Sequence, residues 1–274
     1  MAFGTPDAER IANFHRENFG EVEGKTMALY ALGDLHLSFQ VPEKSMNVFG
    51  KVWRNHETKA KTYIEQLVRP EDTLVLTGDH SWGKNLSLCQ EDLEYIVAFP
   101  GRKILLRGNH DMFWDAKKTE KLNELYRDRL YFLQNNFYAY EDYALVGTKG
   151  FTFEGPFYLD RRGRIVGWDE QKEEHAKKLV KREAERLRMS FDKAREAGYQ
   201  KFIMFLHYPP TNILEKDSVF TRMAEEYGAE QVVYSHCHGE SRFHDSIIGM
   251  HNGIRYSLVS GDYLKFRPAR ILNT

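Results

Sequence analysis

The chain of 274 residues lacks several features that would place it outside the cytoplasm. It has only two cysteines, Cys89 and Cys237, which excludes a disulfide framework and a zinc site built on cysteine. No apolar run is long enough to span a bilayer, and residues 1–26 contain no apolar segment of the kind found in signal peptides. We therefore expect a cytoplasmic protein without a membrane partner.

A strong charge of one sign is also missing. The formal net charge is −1, so the sequence predicts no overall attraction to nucleic acid or to an anionic membrane. Nucleic acid is therefore not an expected partner. Internal repeats and low-complexity segments are absent too, which excludes repeat architectures.

The sequence does have enough apolar residues, 42% of the chain, for the core of one large α/β domain. The strong apolar pattern begins at Met27, so residues 1–26 are interpreted as an N-terminal extension and residues 27–274 as the folded domain. Residues 151–198 contain the longest helical pattern and are a candidate helical cap insertion. Their mixed charges favour a solvated helix face over a cap that offers Lys or Arg to a phosphate.

Short apolar runs alternate with helical patterns, which is typical of a layered α/β fold. Residues 131–150 differ, because Asn135-Asn136 and Glu141-Asp142 separate three short runs and predict an antiparallel meander. A mixed α/β sandwich is therefore favoured over a purely parallel sheet. The strand-like runs are MALYAL, TLVLT, KILLR, YALVGT, KFIMFL and QVVYS, and helices are predicted over residues 51–68, 88–98, 113–128, 168–197 and 217–228.

Polar side chains follow five of these runs at the point where each strand ends. In α/β sheets, ligand sites collect at the carboxyl ends of the strands, so we expect these residues to converge on one crevice. The five segments are Gly33-Asp34-Leu35-His36, Gly78-Asp79-His80, Gly108-Asn109-His110-Asp111, His207-Tyr208-Pro209-Pro210 and Ser235-His236-Cys237-His238.

The residue types predict a metal site. Carboxylates, an amide and imidazoles crowded together would repel one another or lack partners, and a divalent cation resolves that conflict. Oxygen and nitrogen ligands without a required thiolate favour Mn²⁺, Fe or Zn²⁺ over a cysteine zinc site or a Ca²⁺ site. Seven ligands are too many for one tetrahedral zinc and suit two metals that share a bridge.

In this order the motifs resemble those of the calcineurin-like metallophosphoesterase superfamily, and several segments also resemble a bacterial branch of small phosphoesterases. The segments GDLHLS, LRGNHD and LHYPP carry the resemblance, together with the tail SLVSGDYLKFRPARI. The resemblance implies a four-layer α/β/β/α sandwich with mixed β-sheets and an active site at the carboxyl ends of the strands. It also implies a cofactor of two divalent metal ions, with Mn²⁺ expected first and Fe or Zn²⁺ as alternatives.

The resemblance assigns roles to individual residues. His110 is the expected general acid or charge stabiliser, and Asp111 is expected to orient it. Asp79 is the expected bridge between the metals. The remaining implied ligands are Asp34, His36 and His238 for the first metal and Asn109, His207 and His236 for the second.

The reaction implied by the resemblance is hydrolysis of a phosphoester. A metal-bridging hydroxide would attack phosphorus in line, and His110 would protonate the leaving alkoxide. No covalent intermediate is expected, because no cysteine or serine nucleophile is required. The expected substrate is a small phosphomonoester or phosphodiester.

Two positions depart from the usual pattern of this family. Ser235 stands where glycine is usual before the last pair of histidines, so a slightly different turn is expected there. His80 stands where an apolar residue is usual, and it is interpreted as a local hydrogen-bonding residue, with a substrate contact or an extra ligand as alternatives. Cys237, between two ligands, is expected to face the core.

Other cations are candidates for holding the substrate phosphate. Arg107 precedes the Gly-Asn-His-Asp turn and is predicted either to pair with an acidic neighbour or to contact phosphate. Lys84, Arg161 and Arg162 are further candidates. His56, in an aromatic and basic segment, is predicted to lie on a packed helix, with a position at the substrate as the alternative.

Three other functions are kept as alternatives. A protein Ser/Thr phosphatase is disfavoured because GDHSWGKN lacks the arginine-bearing motif of those enzymes. A nuclease is disfavoured by the charge balance and by the lack of an aromatic and basic binding module. A non-catalytic scaffold is disfavoured because all seven ligands and His110 are present. The sequence does not indicate an oligomeric state.

Overall fold

The computed structural model describes residues 27–152, 158–159, 165–166, 170–211 and 217–273. The predicted extension over residues 1–26, as well as Arg161 and Arg162, lies outside the described residues. No helix among the described residues is long and apolar enough to cross a membrane.

The first sheet has five strands in the order β13-β1-β2-β3-β4. The four strands β1 to β4 pair in parallel, and β13 pairs antiparallel with β1 at the edge. Strand β1, with sequence ALYAL, is buried along its whole length, as expected for a strand covered on both faces. The strands are β1 (Ala28–Leu32), β2 (Thr73–Leu76), β3 (Arg102–Leu106), β4 (Tyr131–Leu133) and β13 (Ala269–Asn273).

The second sheet has six strands in the order β11-β12-β10-β9-β6-β5. Its central strands β12, β10, β9 and β6 are parallel, and both edge strands are antiparallel to their neighbours. The strands are β5 (Phe137–Tyr140), β6 (Tyr143–Thr148), β9 (Lys201–Leu206), β10 (Ala229–Tyr234), β11 (Gly249–His251) and β12 (Ile254–Leu258). A separate two-stranded sheet pairs β7 (Tyr158–Leu159) with β8 (Ile165–Val166).

Helices cover the outer faces of both sheets. The α-helices are α1 (His56–Leu67), α2 (Gln90–Val97), α3 (Thr119–Leu125), α4 (Glu170–Glu196), α5 (Val219–Tyr227) and α6 (Glu240–His244). Short 3₁₀ helices span Pro42–Lys44, Met46–Phe49, Lys51–Trp53, Leu86–Leu88 and Ala116–Lys118. Helix α5 begins with a capping box, in which the Ser218 and Thr221 side chains each accept a backbone N–H of the other residue.

Three apolar cores separate the layers. Alternate residues of the strands point to opposite faces of a sheet, so β1 sends Leu29 and Ala31 into the core between the sheets and Leu32 into the core under α1 and α2. The third core packs the second sheet against α4 and α5 and includes Phe191 and Phe202. The predicted four-layer α/β/β/α sandwich with mixed sheets is confirmed.

The predicted meander over residues 131–150 is wrong in its first part. Strand β4 pairs in parallel with β3 in the first sheet, whereas β5 and β6 form an antiparallel pair in the second. The Asn135-Asn136 segment is therefore a crossing between sheets rather than a hairpin turn. Asn136 Oδ1 accepts the backbone N–H of Gln134, and Asn135 has a φ of 62°, so local turn chemistry is present without strand pairing.

Candidate metal centre

The loops after β1, β2 and β10 contain four non-glycine residues with left-handed backbone conformations. Their φ angles are 59° at Asp34, 43° at His36, 54° at Asp79 and 71° at His236. Such conformations are costly for non-glycine residues and occur mainly where surrounding contacts hold the chain in place. Here the Asp34 N–H donates to Gly78 O at 3.0 Å and the His36 N–H donates to Asp79 O at 2.8 Å. The first two loops are therefore held together by backbone hydrogen bonds.

The first group of side chains comprises Asp34, His36 and His238, whose candidate ligand atoms all lie within 4.8 Å of one another. Asp34 and His36 are buried, and His238 is partly exposed. Within the described part of the chain, Asp34 Oδ1 and His36 Nδ1 are buried atoms with no hydrogen-bond partner. Because an unpartnered buried carboxylate oxygen is costly, this group fits a cation.

The second group comprises Asp79, His207 and His236, again with ligand atoms within 4.8 Å. His207 Nδ1 lies 3.0 Å from Thr77 O, so Nδ1 carries the proton and donates, and Nε2 faces the group. Three candidate ligand atoms lie close to that Nε2, namely Asn109 Oδ1 at 2.8 Å, His236 Nδ1 at 3.1 Å and Asp79 Oδ2 at 3.4 Å. A set of lone pairs aimed at one point is the arrangement that a divalent ion satisfies.

Asp79, a member of the second group, also lies close to the first group. Its Oδ2 is 3.6 Å from His36 Nε2 and 3.4 Å from His207 Nε2, and its Oδ1 accepts the backbone N–H of His110 at 2.8 Å. Burial favours the neutral acid, but the neighbouring histidines outweigh burial and hold the pKa of Asp79 well below its usual value. Asp79 therefore remains a carboxylate at the position where the two groups meet.

Asp262 orients His238, a contact that the sequence interpretation missed. Asp262 Oδ1 lies 2.9 Å from His238 Nδ1, and Asp262 Oδ2 accepts the Gly239 N–H at 3.1 Å. Burial would lower the pKa of His238, but Asp34 and Asp262 outweigh it and raise that pKa to about 9. The available signal was the Gly-Asp pair in the tail SLVSGDYLKF, which repeats the pattern of the first two motifs.

His110 lies at the mouth of the site, partly exposed. Its ring centroid is 4.2 Å from that of Trp82 and 5.5 Å from that of His36. Trp82 also stacks on His36, with centroids 5.0 Å apart and an interplanar angle of 23°. Trp82, which the sequence interpretation gave no role, therefore fixes the positions of both imidazoles.

The hydrogen bonds of the Asp111 carboxylate go to backbone N–H groups, and its expected orienting role for the His110 ring stays a prediction. Asp111 is fully buried, and its carboxylate accepts three backbone N–H groups, from Gly108 at 2.7 Å, His80 at 2.8 Å and Asp79 at 2.9 Å. The contacts thus run to the loops that carry Asp79 and Asn109. Asp111 therefore positions the two loops that carry these candidate ligands.

The candidate phosphate contacts lie in different surroundings. His80 is fully buried with Nε2 2.9 Å from Leu106 O, which favours the local hydrogen-bonding interpretation over a substrate contact. Lys84 is exposed. Arg107 is partly buried and donates from Nε to Trp114 O at 2.6 Å. His56 is buried at the start of α1, with Nε2 2.7 Å from Leu35 O, so it belongs to a packed helix.

Ser235, which replaces the usual glycine, has a hydrogen-bond partner for its buried hydroxyl. It is fully buried, and its hydroxyl donates to Thr77 O at 3.0 Å. The Ser235 side chain fills the space beside Gly33, so a Cβ added to Gly33 would overlap Ser235. Cys237 is buried in the core beneath α5, as predicted.

The fold and the site define an α/β sandwich in which residues of both sheets form two adjacent groups of candidate metal ligands. The calcineurin-like phosphoesterase family model matches residues 27–240, and the chain belongs to this family. Family membership and the two ligand groups support a metal-dependent phosphoesterase activity.

The solved structures that match this chain share little sequence identity with it. AQ665, a protein of unknown function from Aquifex aeolicus, is 15% identical, with 89% of this chain and 95% of that chain covered and a TM-score of 0.47. TT1561 of Thermus thermophilus is 9% identical, with 79% and 84% covered and a TM-score of 0.42. No curated protein matches the chain by sequence. The family assignment therefore rests on the family model.

Proposed function

We propose that the protein is a dinuclear metal-dependent hydrolase of phosphoesters that acts on a small phosphorylated molecule. The observation that carries this proposal is the position of Asp79, whose Oδ2 lies within 3.6 Å of histidines from both ligand groups. A shared carboxylate of this kind holds two ions close enough to act on one phosphoryl group. A cytoplasmic location and a preference for Mn²⁺ stay predictions from the sequence.

One ion would be held by Asp34, His36 and His238, and the other by Asn109, His207 and His236. Asp79 would bind both ions. Bound divalent ions would supply activation of a water molecule and neutralisation of the phosphoryl oxygens. The protein itself holds the ligand atoms in position before any ion binds. The Thr77 carbonyl sets the tautomer of His207, and Asp262 sets the orientation of His238.

His110 is the proposed proton donor to the leaving oxygen. Its ring is partly exposed, so a substrate can reach it, and the contact with Trp82 limits its rotation. Its backbone N–H is held by Asp79 Oδ1, which keeps the ring beside the bridging ligand. General acid catalysis by a positioned histidine contributes roughly 10²–10⁴-fold to a rate.

The first experiment is hydrolysis of p-nitrophenyl phosphate and bis-p-nitrophenyl phosphate by metal-stripped protein reloaded with Mn²⁺, Fe²⁺ or Zn²⁺. We expect metal-dependent turnover that is lost in Asp79→Asn, and a fall of roughly 10²-fold or more in kcat for His110→Ala. The preferred ester decides between monoesterase and diesterase. His251→Ala is the matched control, because His251 is exposed on β11.

Elemental analysis separates the remaining outcomes. Wild-type protein that binds two metals but hydrolyses neither ester would favour the scaffold alternative or an enzyme of narrow specificity. Protein that binds no metal would contradict the proposal. Salt-sensitive cleavage of DNA or RNA would favour the nuclease alternative.

A further inference from the structure

A group of cationic side chains lies beside the second ligand group and has no role in the proposed reaction. Arg107 follows β3, Lys149 follows β6, and Arg182 and Arg186 lie on α4 around the carboxylate of Glu183. We call these four cations the cation cluster.

Lys149 is the buried member of the cation cluster. Its side chain is only 8% exposed. Nζ lies 5.0 Å from the ring centroid of Tyr208 and 5.5 Å from that of Phe151. Among the described residues no carboxylate makes an ion pair with Nζ. Because a buried ammonium that forms no ion pair is costly, an anion at this point would stabilise it.

The carboxylate beside Arg182 and Arg186 already has partners. Glu183 is fully buried, and its Oε1 accepts from Arg186 Nη1 at 2.6 Å and lies 3.3 Å from Arg182 Nη2. Its Oε2 accepts the Thr148 hydroxyl at 2.8 Å. Arg107 Nε donates a hydrogen bond to the Trp114 carbonyl, and the guanidinium carries further N–H donors besides this one. Among the described residues Glu183 and Asp111 supply negative charge near these four cations, so the local charge is positive.

The cation cluster adjoins the metal ligands through the chain itself. The Lys149 carbonyl accepts the N–H groups of His207 at 3.1 Å and Tyr208 at 3.0 Å. The Tyr208 ring, which Lys149 Nζ faces, has its centroid 4.1 Å from that of His236. A single aromatic ring therefore separates the buried ammonium from a predicted ligand of the second metal.

We propose that the cation cluster is a second anion subsite, which binds a phosphate of the substrate other than the one that is hydrolysed. The substrate class is then a phosphoester that carries a second phosphate group. Guanidinium and ammonium groups together suit such a group, since Arg offers paired donors and Lys a point charge. The substrate class rests on the proposed function, whereas the subsite is built from residues outside both ligand groups.

Metal-stripped protein tests the subsite without catalysis. We would measure the binding of inorganic pyrophosphate by calorimetry to wild type, Lys149→Met and Lys149→Arg. The expected result is binding that weakens about tenfold or more in Lys149→Met and is largely retained in Lys149→Arg. Lys103→Met is the matched control, because Lys103 is a partly buried lysine at the amino end of β3, where Nζ donates to Phe99 O.

Inhibition of p-nitrophenyl phosphate turnover tests the same subsite in the metal-loaded protein. Methylphosphonate is compared with bisphosphonates of one, two and three linking carbons, which differ from it by a second phosphonate. Wild type is expected to prefer one of the bisphosphonates, and Lys149→Met to lose about tenfold or more of that preference. The linker with the lowest inhibition constant reports the spacing between the two phosphates.

The outcomes separate the two proposals. Pyrophosphate binding that depends on Lys149, in a protein with no turnover of either test ester, supports the subsite and counts against the proposed function. Turnover with no pyrophosphate binding by wild type, or with equal binding by wild type and Lys149→Met, overturns the subsite. Melting temperatures of all variants must match wild type within a few degrees for these comparisons to hold.

Discussion

Asp111 Oδ2 accepts the backbone N–H of Asp79 at 2.9 Å, so the residue after the proposed proton donor holds the proposed bridging ligand in place. The same oxygen accepts the Gly108 N–H, and Oδ1 accepts the His80 N–H. One buried carboxylate thus joins the loop after β2 to the loop after β3. The left-handed backbone at Asp79 persists because these contacts and the hydrogen bond to His36 fix it.

Asp111→Asn is expected to lower both stability and metal content. An amide has only one acceptor oxygen, so its NH₂ group would face a backbone N–H that the carboxylate now accepts. A buried donor left without a partner costs roughly 1–3 kcal/mol. Thermal unfolding and elemental analysis measure the two effects, and Asp115→Asn is the control because Asp115 is a nearby exposed residue. Unchanged metal content in a stably folded Asp111→Asn protein would contradict the positioning role.

Asp262→Asn is expected to weaken metal binding while the fold stays intact. The His238 imidazole would lose the carboxylate that orients Nδ1, and such outer contacts are worth about 10–100-fold in metal affinity. Competition with a metal-sensitive dye measures the affinity directly. Asp245→Asn serves as the comparison, since that carboxylate is exposed beside His244. Equal affinities in wild type and Asp262→Asn would show that Asp262 does not support the ligand.

Gly108→Ala is expected to disrupt the second ligand group. An added Cβ would overlap Asp79 Oδ1 and the Asp79 backbone nitrogen, so the loop after β3 must shift. The expected consequences are a loss of stability of about 1–3 kcal/mol and reduced metal binding. Gly253→Ala is a useful comparison, because its φ of 79° gives backbone strain but no overlap. Normal metal binding by Gly108→Ala would show that the close approach is unnecessary.

Both thiols are expected to resist modification in the folded protein. Cys89 and Cys237 are buried, and burial together with Asp92 raises the pKa of the Cys89 thiol to about 12. Thiolate is the reactive form, so a raised pKa makes Cys89 less reactive at every pH below 12. Ellman's reagent should detect almost no thiol at pH 8 and two thiols after denaturation. Rapid reaction of a thiol before unfolding would contradict the burial described.

Much of the fold could be predicted from the sequence because strand and helix patterns alternate clearly. The runs MALYAL, TLVLT and KILLR correspond to β1, β2 and β3, and the predicted helix over 168–197 corresponds to α4. Strand β4 was mistaken for the first strand of a meander, because a turn-like segment cannot show which sheet its two flanks join. That choice depends on tertiary pairing of β4 with β3 across a long stretch of chain.

The candidate ligands could be predicted because each lies at a strand end in a recognisable motif. The residues around them could not, because their roles depend on distances between separate loops. Asp111 was expected to serve its neighbour His110, yet its contacts reach residues 31 and 32 positions earlier in the chain. Asp262 meets His238 across 24 positions. The catalytic and ligand roles themselves stay predictions until the variants are measured.

Each ligand group combines side chains from both sheets. Asp34 and His36 follow a strand of the first sheet, whereas His238 follows a strand of the second, and the pair Asp79 and His207 is divided in the same way. Neither half of the sandwich can therefore assemble a metal site alone. Ions bound here would cross-link the two halves, and the free energy of unfolding would rise with metal concentration. The capacity to bind metal would then appear during folding only when the two halves have docked.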